Sequence, residues 1–411
     1  MGTSQPVVAR PRRAVGLLAV TQFLLEVQFW FPLWLIFLLH LGFDLTTAVL
    51  ADGVFRLVSV LAEIPMGLLA DRMGRKASYL LITGLSAVTF AGIAMINSTW
   101  QLFGMWIVWG VLWALNSGAA TTYAYELSQQ LGPKQGPRGF AVIKGAGQAA
   151  VLVSLVTAGL LYGVDPALPF WLTAAMAVLA GLLALGLPDV PRVGPPASLR
   201  QVLADIRAAL AGRATRSVMA VAALFMFYGW SVRILFQPLA LDLELTPEQT
   251  GWMYAGVAAV GIVASLATGW VRPTHRRLVI GGGMIITVVA AALTFWWSWL
   301  GPVAWLPMLS LAWAAGWTTL ELELSGRTRP AIRATVLSLV ASVAGVGIAV
   351  ARPGLGALAD RTSSAMAYGG WAAVGVIVVV VFVVLLRRMG DHPMPAVSDD
   401  RDAGISGQSA D

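Results

Sequence analysis

The chain contains no cysteine and only three histidines, His40, His275 and His392. The first absence excludes disulfides, thiolate metal sites and thiol redox chemistry, and three scattered imidazoles do not make a histidine metal centre. No cofactor and no metal are therefore expected. Charge is scarce too: 11% of the 411 residues are Asp, Glu, Lys or Arg, against about 25% in ordinary soluble domains. That excludes a water-soluble globule. The excess of +7, from 27 basic and 20 acidic residues, would suggest nucleic acid in a soluble protein, but its placement points to a lipid bilayer and to no nucleic acid. A nucleophile elbow, metal-ligand spacing and a phosphate loop are also missing, so an enzyme is not expected.

What the chain does contain is apolar sequence, 58% of it, in runs of about twenty residues. At 1.5 Å rise per residue such a run spans a hydrocarbon core of about 30 Å as a helix. The runs predict an all-α membrane protein with twelve transmembrane helices, at 14–40, 47–70, 77–97, 101–127, 139–163 and 168–188, then 216–240, 250–271, 278–298, 302–324, 334–358 and 366–388. The first run follows Arg10, Arg12 and Arg13 without a small-residue cleavage site and reads as a retained helix rather than a signal peptide.

Arginine and lysine gather in alternate loops: Arg72, Arg75 and Lys76; Lys134 and Arg138; Arg272, Arg276 and Arg277; Arg327, Arg329 and Arg333; Arg387 and Arg388. The intervening loops contribute only Arg361. By the positive-inside rule this predicts a multi-pass protein of the cell membrane with both termini cytoplasmic.

The expected organisation is a cytoplasmic segment 1–13, a six-helix bundle 14–190, a cytoplasmic linker 191–215, a second six-helix bundle 216–389 and a disordered tail 390–411. Within the linker, Ser198 and Gln201 have capping-box spacing, and Leu199, Val202, Leu203, Ile206 and Leu210 form one apolar stripe, which predicts a surface-lying amphipathic helix.

The two bundles read as duplicates. TTYAYELS at 121–128 returns as TTLELELS at 318–325, and residues 41–69 align without gaps on 243–271, which sets Gly67 over Gly269 and Arg75 over Arg277. Two pseudo-symmetric bundles with a site between them suit alternating access.

The stretch EIPMGLLADRMGRK, Glu63 to Lys76, sits in the turn between the second and third predicted helices. In it, Gly67, Leu69, Ala70, Asp71, Arg72, Gly74, Arg75 and Lys76 match the signature G-x-L-a-D-R-x-G-R-K, and the chain resembles the major facilitator superfamily of secondary transporters. The resemblance implies a gate. Gly67 and Gly74 would allow close approach, Asp71 would meet the positive N-terminal end of helix 11, and Arg75, beside Arg72, would pair with Glu126. In the second half the pattern has decayed to GWVRPTHRR, with Pro273 in place of the aspartate, so a symmetric second latch is not expected.

Charges inside spans are costly, about 2.5–3.5 kcal/mol at a helix centre, and each is a functional candidate. Glu26 lies midway along the first run, with Gln22 one turn before and Trp30 one turn after it. A carboxyl group in an apolar setting retains its proton more readily and can exchange it when the site opens, so Glu26 is the candidate proton carrier. In the second helix Asp52 and Arg56 either neutralise one another or leave Arg56 for substrate. Trp230, Arg233 and Gln237 share a face of the seventh helix. Trp113, Asn116 and Tyr123 share one of the fourth with Trp106 and Trp109, and Trp317 shares one of the tenth with Trp313. Lys144 and Arg352 complete the buried cations. These tryptophans serve packing or a lining equally well by spacing alone. The resemblance implies that helices 1, 4, 7 and 10 line a central cavity.

The expected function is a monomeric secondary transporter for a small-molecule substrate: proton-coupled efflux of an amphipathic or aromatic molecule. The alternatives are a proton-coupled uptake symporter for an organic anion, which Arg56, Arg233 and Arg352 favour, and a non-transporting receptor. Two departures weigh against a drug antiporter. The fifth helix lacks the proline of the G-x-x-x-G-P-x-x-G-G motif, and the fourth lacks the arginine such antiporters carry.

Overall fold

The protein was analysed as a computed structural model, which describes residues 10–190, 199–328 and 333–389. The segment 1–9, the prolines opening the linker with Ser198, Arg329 and the tail 390–411 fall outside the described residues. No strand is formed among the described residues, 88% of the structure being helical.

The first half comprises α1 (Pro11–Glu26), α2 (Trp34–His40), α3 (Leu45–Met73), α4 (Arg75–Ala94), α5 (Thr99–Gln129), α6 (Gly136–Val164) and α7 (Leu168–Ala184). The linker forms α8 (Leu199–Ala211), and the second half comprises α9 (Arg213–Ser231), α10 (Phe236–Asp242), α11 (Pro247–Ala267), α12 (Arg276–Trp296), α13 (Leu306–Arg327), α14 (Arg333–Arg361) and α15 (Ser364–Arg388). Polar side chains at loop ends set several starts. Asp44 accepts from the Thr47 amide at 2.6 Å at the head of α3, and Thr246 with Gln249 makes a reciprocal capping box at the head of α11. Between α3 and α4 the chain reverses at Gly74, whose φ of 89° suits glycine alone.

Among the described residues ten helices are long and apolar enough to cross a membrane. The two remaining predicted spans differ. The 168–188 run yields a helix of only 17 residues, Leu168–Ala184. The 14–40 run is broken between Glu26 and Trp34, and its counterpart at 216–240 is interrupted by a tighter 3-10 turn at Val232–Leu235. Non-helical backbone at membrane depth must find partners inside the protein, and here it does. The Gln28 amide donates to Ser154 Oγ at 2.9 Å. The Leu35 and Ile36 amides, in the uncapped first turn of α2, donate to Gln237 Oε1 at 2.9 and 3.3 Å. The Trp230 carbonyl, just before the second break, accepts from Arg352 Nη2 at 2.9 Å.

The halves meet along α3 against α14 and α6 against α11. Glycines allow these crossings. A Cβ on Gly53 would lie 2.9 Å from the Ala349 carbonyl oxygen, one on Gly356 2.8 Å from Val49 Cβ, and one on Gly159 2.3 Å from Glu248 Cα. Gly67, expected to serve this purpose, has nothing within 4 Å of a built Cβ. That expectation is corrected: its stretch of α3 is not where the helices touch most closely.

Two ends can be told apart. At the arginine-rich end Arg12 donates to Gln135, Lys76 to the Leu185 carbonyl and Arg327 to the Met389 carbonyl. At the opposite, far end Thr46 donates to Asp360 across the halves at 2.8 Å, and the Ser364 amide donates to Asp242. The linker helix α8 packs against α9 and α14 and leaves Leu199, Leu203 and Leu210 exposed on its apolar stripe.

Candidate functional site

A ladder of aromatic rings and guanidinium groups crosses the middle of the molecule. Arg56, from α3, has its Cζ 5.1 Å from the Phe55 ring centroid, 5.5 Å from Trp113 on α5 and 5.7 Å from Trp230 on α9. Arg233, in the second helix break, lies 5.0 Å from that same Trp230 ring and 4.8 Å from Trp313 on α13. Trp313 meets Trp230 edge-on at 5.7 Å and stacks parallel to Trp317 at 6.0 Å. Trp113 remains 43% exposed. Asn116, one turn beyond Trp113, has a buried side-chain oxygen without a donor.

The third arginine behaves differently. Arg352, 5% exposed, donates through Nη1 to Asp52 Oδ2 at 2.6 Å, an ion pair between the halves. The expectation that Asp52 and Arg56 neutralise one another is thereby corrected. Asp52 commits its carboxylate to Arg352 on the opposing helix, where α3 and α14 cross at Gly53. Among the described residues Arg56 and Arg233 have no hydrogen bond and no ion pair, and the buried Nε atom of each is unpartnered. A cation over an aromatic face gains about 0.5–2 kcal/mol. Removing an ion from water costs several kcal/mol, so the rings offset only part of that cost.

Glu26 ends α1 at the first break. Its carboxylate accepts from Gln22 Nε2 at 2.9 Å and Gln28 Nε2 at 3.3 Å, and Gly147 of α6 makes its niche, since a Cβ there would lie 3.3 Å from Glu26 Cγ. Lys144, one turn from Gly147, acts on Glu26 electrostatically but is exposed rather than buried and donates to Thr121 at 3.0 Å.

Several expected lining residues are engaged elsewhere. Trp30 was placed on the Glu26 face by helical spacing, but the helix ends at Glu26. The ring instead lies 2% exposed, stacked on Phe90 at 5.1 Å and edge-on to Trp109 at 4.8 Å. Gln22 is held between Glu26 and Tyr79. Tyr123 is buried against Tyr79 and donates to the Pro188 carbonyl at 2.6 Å. Gln237, 2% exposed, caps α2 from the other half. Trp313 supplies a wall of the Arg233 site although its spacing marked it only as a companion of Trp317. No sequence signal exposes the clamp in which Ser338 and Ser342 donate to Glu63 across the halves at 2.6 and 2.8 Å.

In the gating turn Arg75 holds Glu126 bidentately, Nε to Oε2 and Nη2 to Oε1, both at 2.8 Å, and its Nη1 reaches Asp71 at 3.1 Å. Arg72 is exposed. The expected contact of Asp71 with the N-terminal end of the eleventh helix falls on residues outside those described. The second half does rebuild an arginine–glutamate cluster, with Arg276 and Arg327 each donating to Glu323 at 2.9 Å.

A sequence profile of the Major Facilitator Superfamily matches residues 16–232, more than half of the chain. The chain belongs to the major facilitator superfamily. This superfamily member is a membrane transporter, not an enzyme. Among solved structures it is similar to the nucleoside transporter NupG (TM-score 0.72, 16% identity, covering 92% of this chain and 100% of that one). It is also similar to a bacterial homologue of the human lysosomal transporter Spinster (TM-score 0.70, 16% identity, 93% and 97% covered). A third likeness is to the human organic anion transporter MFSD10 (TM-score 0.64, 17% identity, 91% and 100% covered). At these identities the likeness is one of fold. No curated protein matches the chain by sequence.

Proposed function

We propose that this protein works by alternating access between two pseudo-symmetric six-helix bundles, crossing the cell membrane twelve times with both termini in the cytoplasm, and that it carries an organic anion with an aromatic or apolar body together with a proton. The observation that carries this reading is the pair Arg56 and Arg233, stacked among Trp113, Trp230 and Trp313 with no carboxylate of their own. Guanidinium groups match carboxylates bidentately, and tryptophan faces suit a flat apolar body.

Glu26 is the proton site in this reading. Carrying one negative charge inward against a potential of 100 mV costs about 2.3 kcal/mol, and a co-travelling proton on Glu26 cancels that work. An anion leaving the cell needs no such help, which supports uptake by symport. The inter-half contacts at the far end, Thr46 to Asp360 and Gln237 to α2, support closure to the outside, while the Ser338 and Ser342 clamp on Glu63 also joins the halves toward the arginine-rich end.

A second reading, proton-coupled efflux of an amphipathic aromatic molecule, is favoured by the succession of four tryptophans along the ladder. Proteoliposomes separate the two. Uptake of an aromatic carboxylate driven by an acid exterior supports symport, net export against an inward proton gradient supports efflux, and binding without flux identifies a receptor.

A further inference from the structure

We infer that the substrate is a divalent organic anion whose two acidic groups are taken one by Arg56 and one by Arg233, both of which lie against the Trp230 ring. This rests on the anion-transport reading above and makes it more specific. The charge count comes first. Three guanidiniums, those of Arg56, Arg233 and Arg352, lie close together, and Arg352 is within electrostatic reach of both others. One carboxylate, Asp52, answers them: it pairs directly with Arg352 and acts on Arg56 only at a distance. Two positive charges are left over, and a monovalent substrate would still leave one buried and unanswered.

Geometry supplies the second argument. Arg56 belongs to the first half and Arg233 to the second, and both lie against the one Trp230 ring, at 5.7 and 5.0 Å from its centroid. Each keeps a buried, unpartnered Nε–H, and each is backed by a further ring, Trp113 or Trp313. Two acidic groups on one rigid aromatic frame meet this pattern. Such a ligand touches both halves at once, so occupancy is felt directly by the rocking that moves it.

The test uses purified full-length protein and three isosteric probes: benzene-1,4-dicarboxylate, 4-carbamoylbenzoate and the neutral diamide. Calorimetry is expected to show the dianion binding about tenfold or more tightly than the monoanion, as loss of one charge-assisted contact implies. The monoanion should in turn bind more tightly than the diamide. Arg56→Gln and Arg233→Gln should each lose the advantage of the dianion over the monoanion. A second measurement needs no ligand: the apparent melting temperature of the empty protein should rise in both variants, because each removes an uncompensated buried charge, and should fall in Arg352→Gln. Equal affinity for dianion and monoanion in the wild-type protein, or a fall in melting temperature in both variants, would overturn the inference while leaving anion transport standing. Failure of both charged probes to bind the wild-type protein would overturn the anion reading itself.

Discussion

The two broken helices occupy equivalent places in the two halves and carry opposite chemistry. In the first half the helix stops at Glu26 and resumes at Trp34; in the second it stops at Ser231 and resumes at Phe236. The first break holds a carboxylate among amide donors, Gln22 and Gln28. The second holds Arg233 between two indole rings. One break is thus acid-bearing and the other cation-bearing. Gln237 joins them, reaching from α10 to the bare amides of α2. Breaks suit such groups because a helix interrupted in an apolar setting needs polar partners for its freed backbone, so polar side chains are admitted there at less extra cost.

The sharpest way to break this comparison is to remove the acid. Glu26→Gln is expected to abolish accumulation driven by a proton gradient while leaving substrate counterflow measurable; gradient-driven uptake at the wild-type rate would take Glu26 out of the coupling. The next largest effect is on stability. Asp52→Asn leaves Arg352 as a third uncompensated cation and should destabilise the protein by about 3 kcal/mol, read as a lowered melting temperature.

Gln237→Ala removes both acceptor contacts to α2, at about 1–3 kcal/mol for the donors left buried. Amide exchange at Leu35 and Ile36 should accelerate. Single cysteines placed at the far end, in a chain that has none of its own, should label faster. Unchanged labelling would mean that the joint between the breaks does not hold that end closed.

The gating clusters offer a milder contrast. Glu126→Gln disturbs a bidentate pair whose side chains are 10% and 13% exposed, whereas in Glu323→Gln the values for the Arg276 pair are 20% and 16%, and Arg276 and Arg327 each contribute a single bond. The first should cost about 2 kcal/mol and the second about 1 kcal/mol after allowance for solvent screening. Equal melting temperatures would erase that difference between the halves.

The smallest expected effect lies outside the spans. The Thr47 amide holds the Asp44 carboxyl below its ordinary range, so its cap contributes above the unfolded carboxyl pKa and is lost as the pH falls through the lowered folded value. Asp44→Ala should cost about 1 kcal/mol near neutrality and progressively less in acid, which a pair of melting curves at pH 7 and pH 3 would show.

Much of the architecture was legible because period, length and loop charge are local properties. The apolar runs located the helices within a few residues, and Gly74 with Arg75 and Glu126 foretold a turn and an ion pair that the structure contains. Helical spacing failed where the helix itself failed. Trp30 was carried across a break onto the Glu26 face, and Gln237 was assigned to substrate although it caps α2. The alignment sets Arg75 over Arg277, and Glu323 is held by the neighbouring Arg276 and by Arg327.

By itself the sequence determined that this chain would lie in a bilayer as a set of helices, since scarcity of charge and twenty-residue apolar runs exclude a water-soluble globule. Only the tertiary structure decided which charges are answered. Asp52 sits four residues from Arg56 on its own helix yet pairs with Arg352, 300 residues away. Pairing energy depends on distance through a dry interior, and that distance is set by how α3 and α14 cross at their glycines.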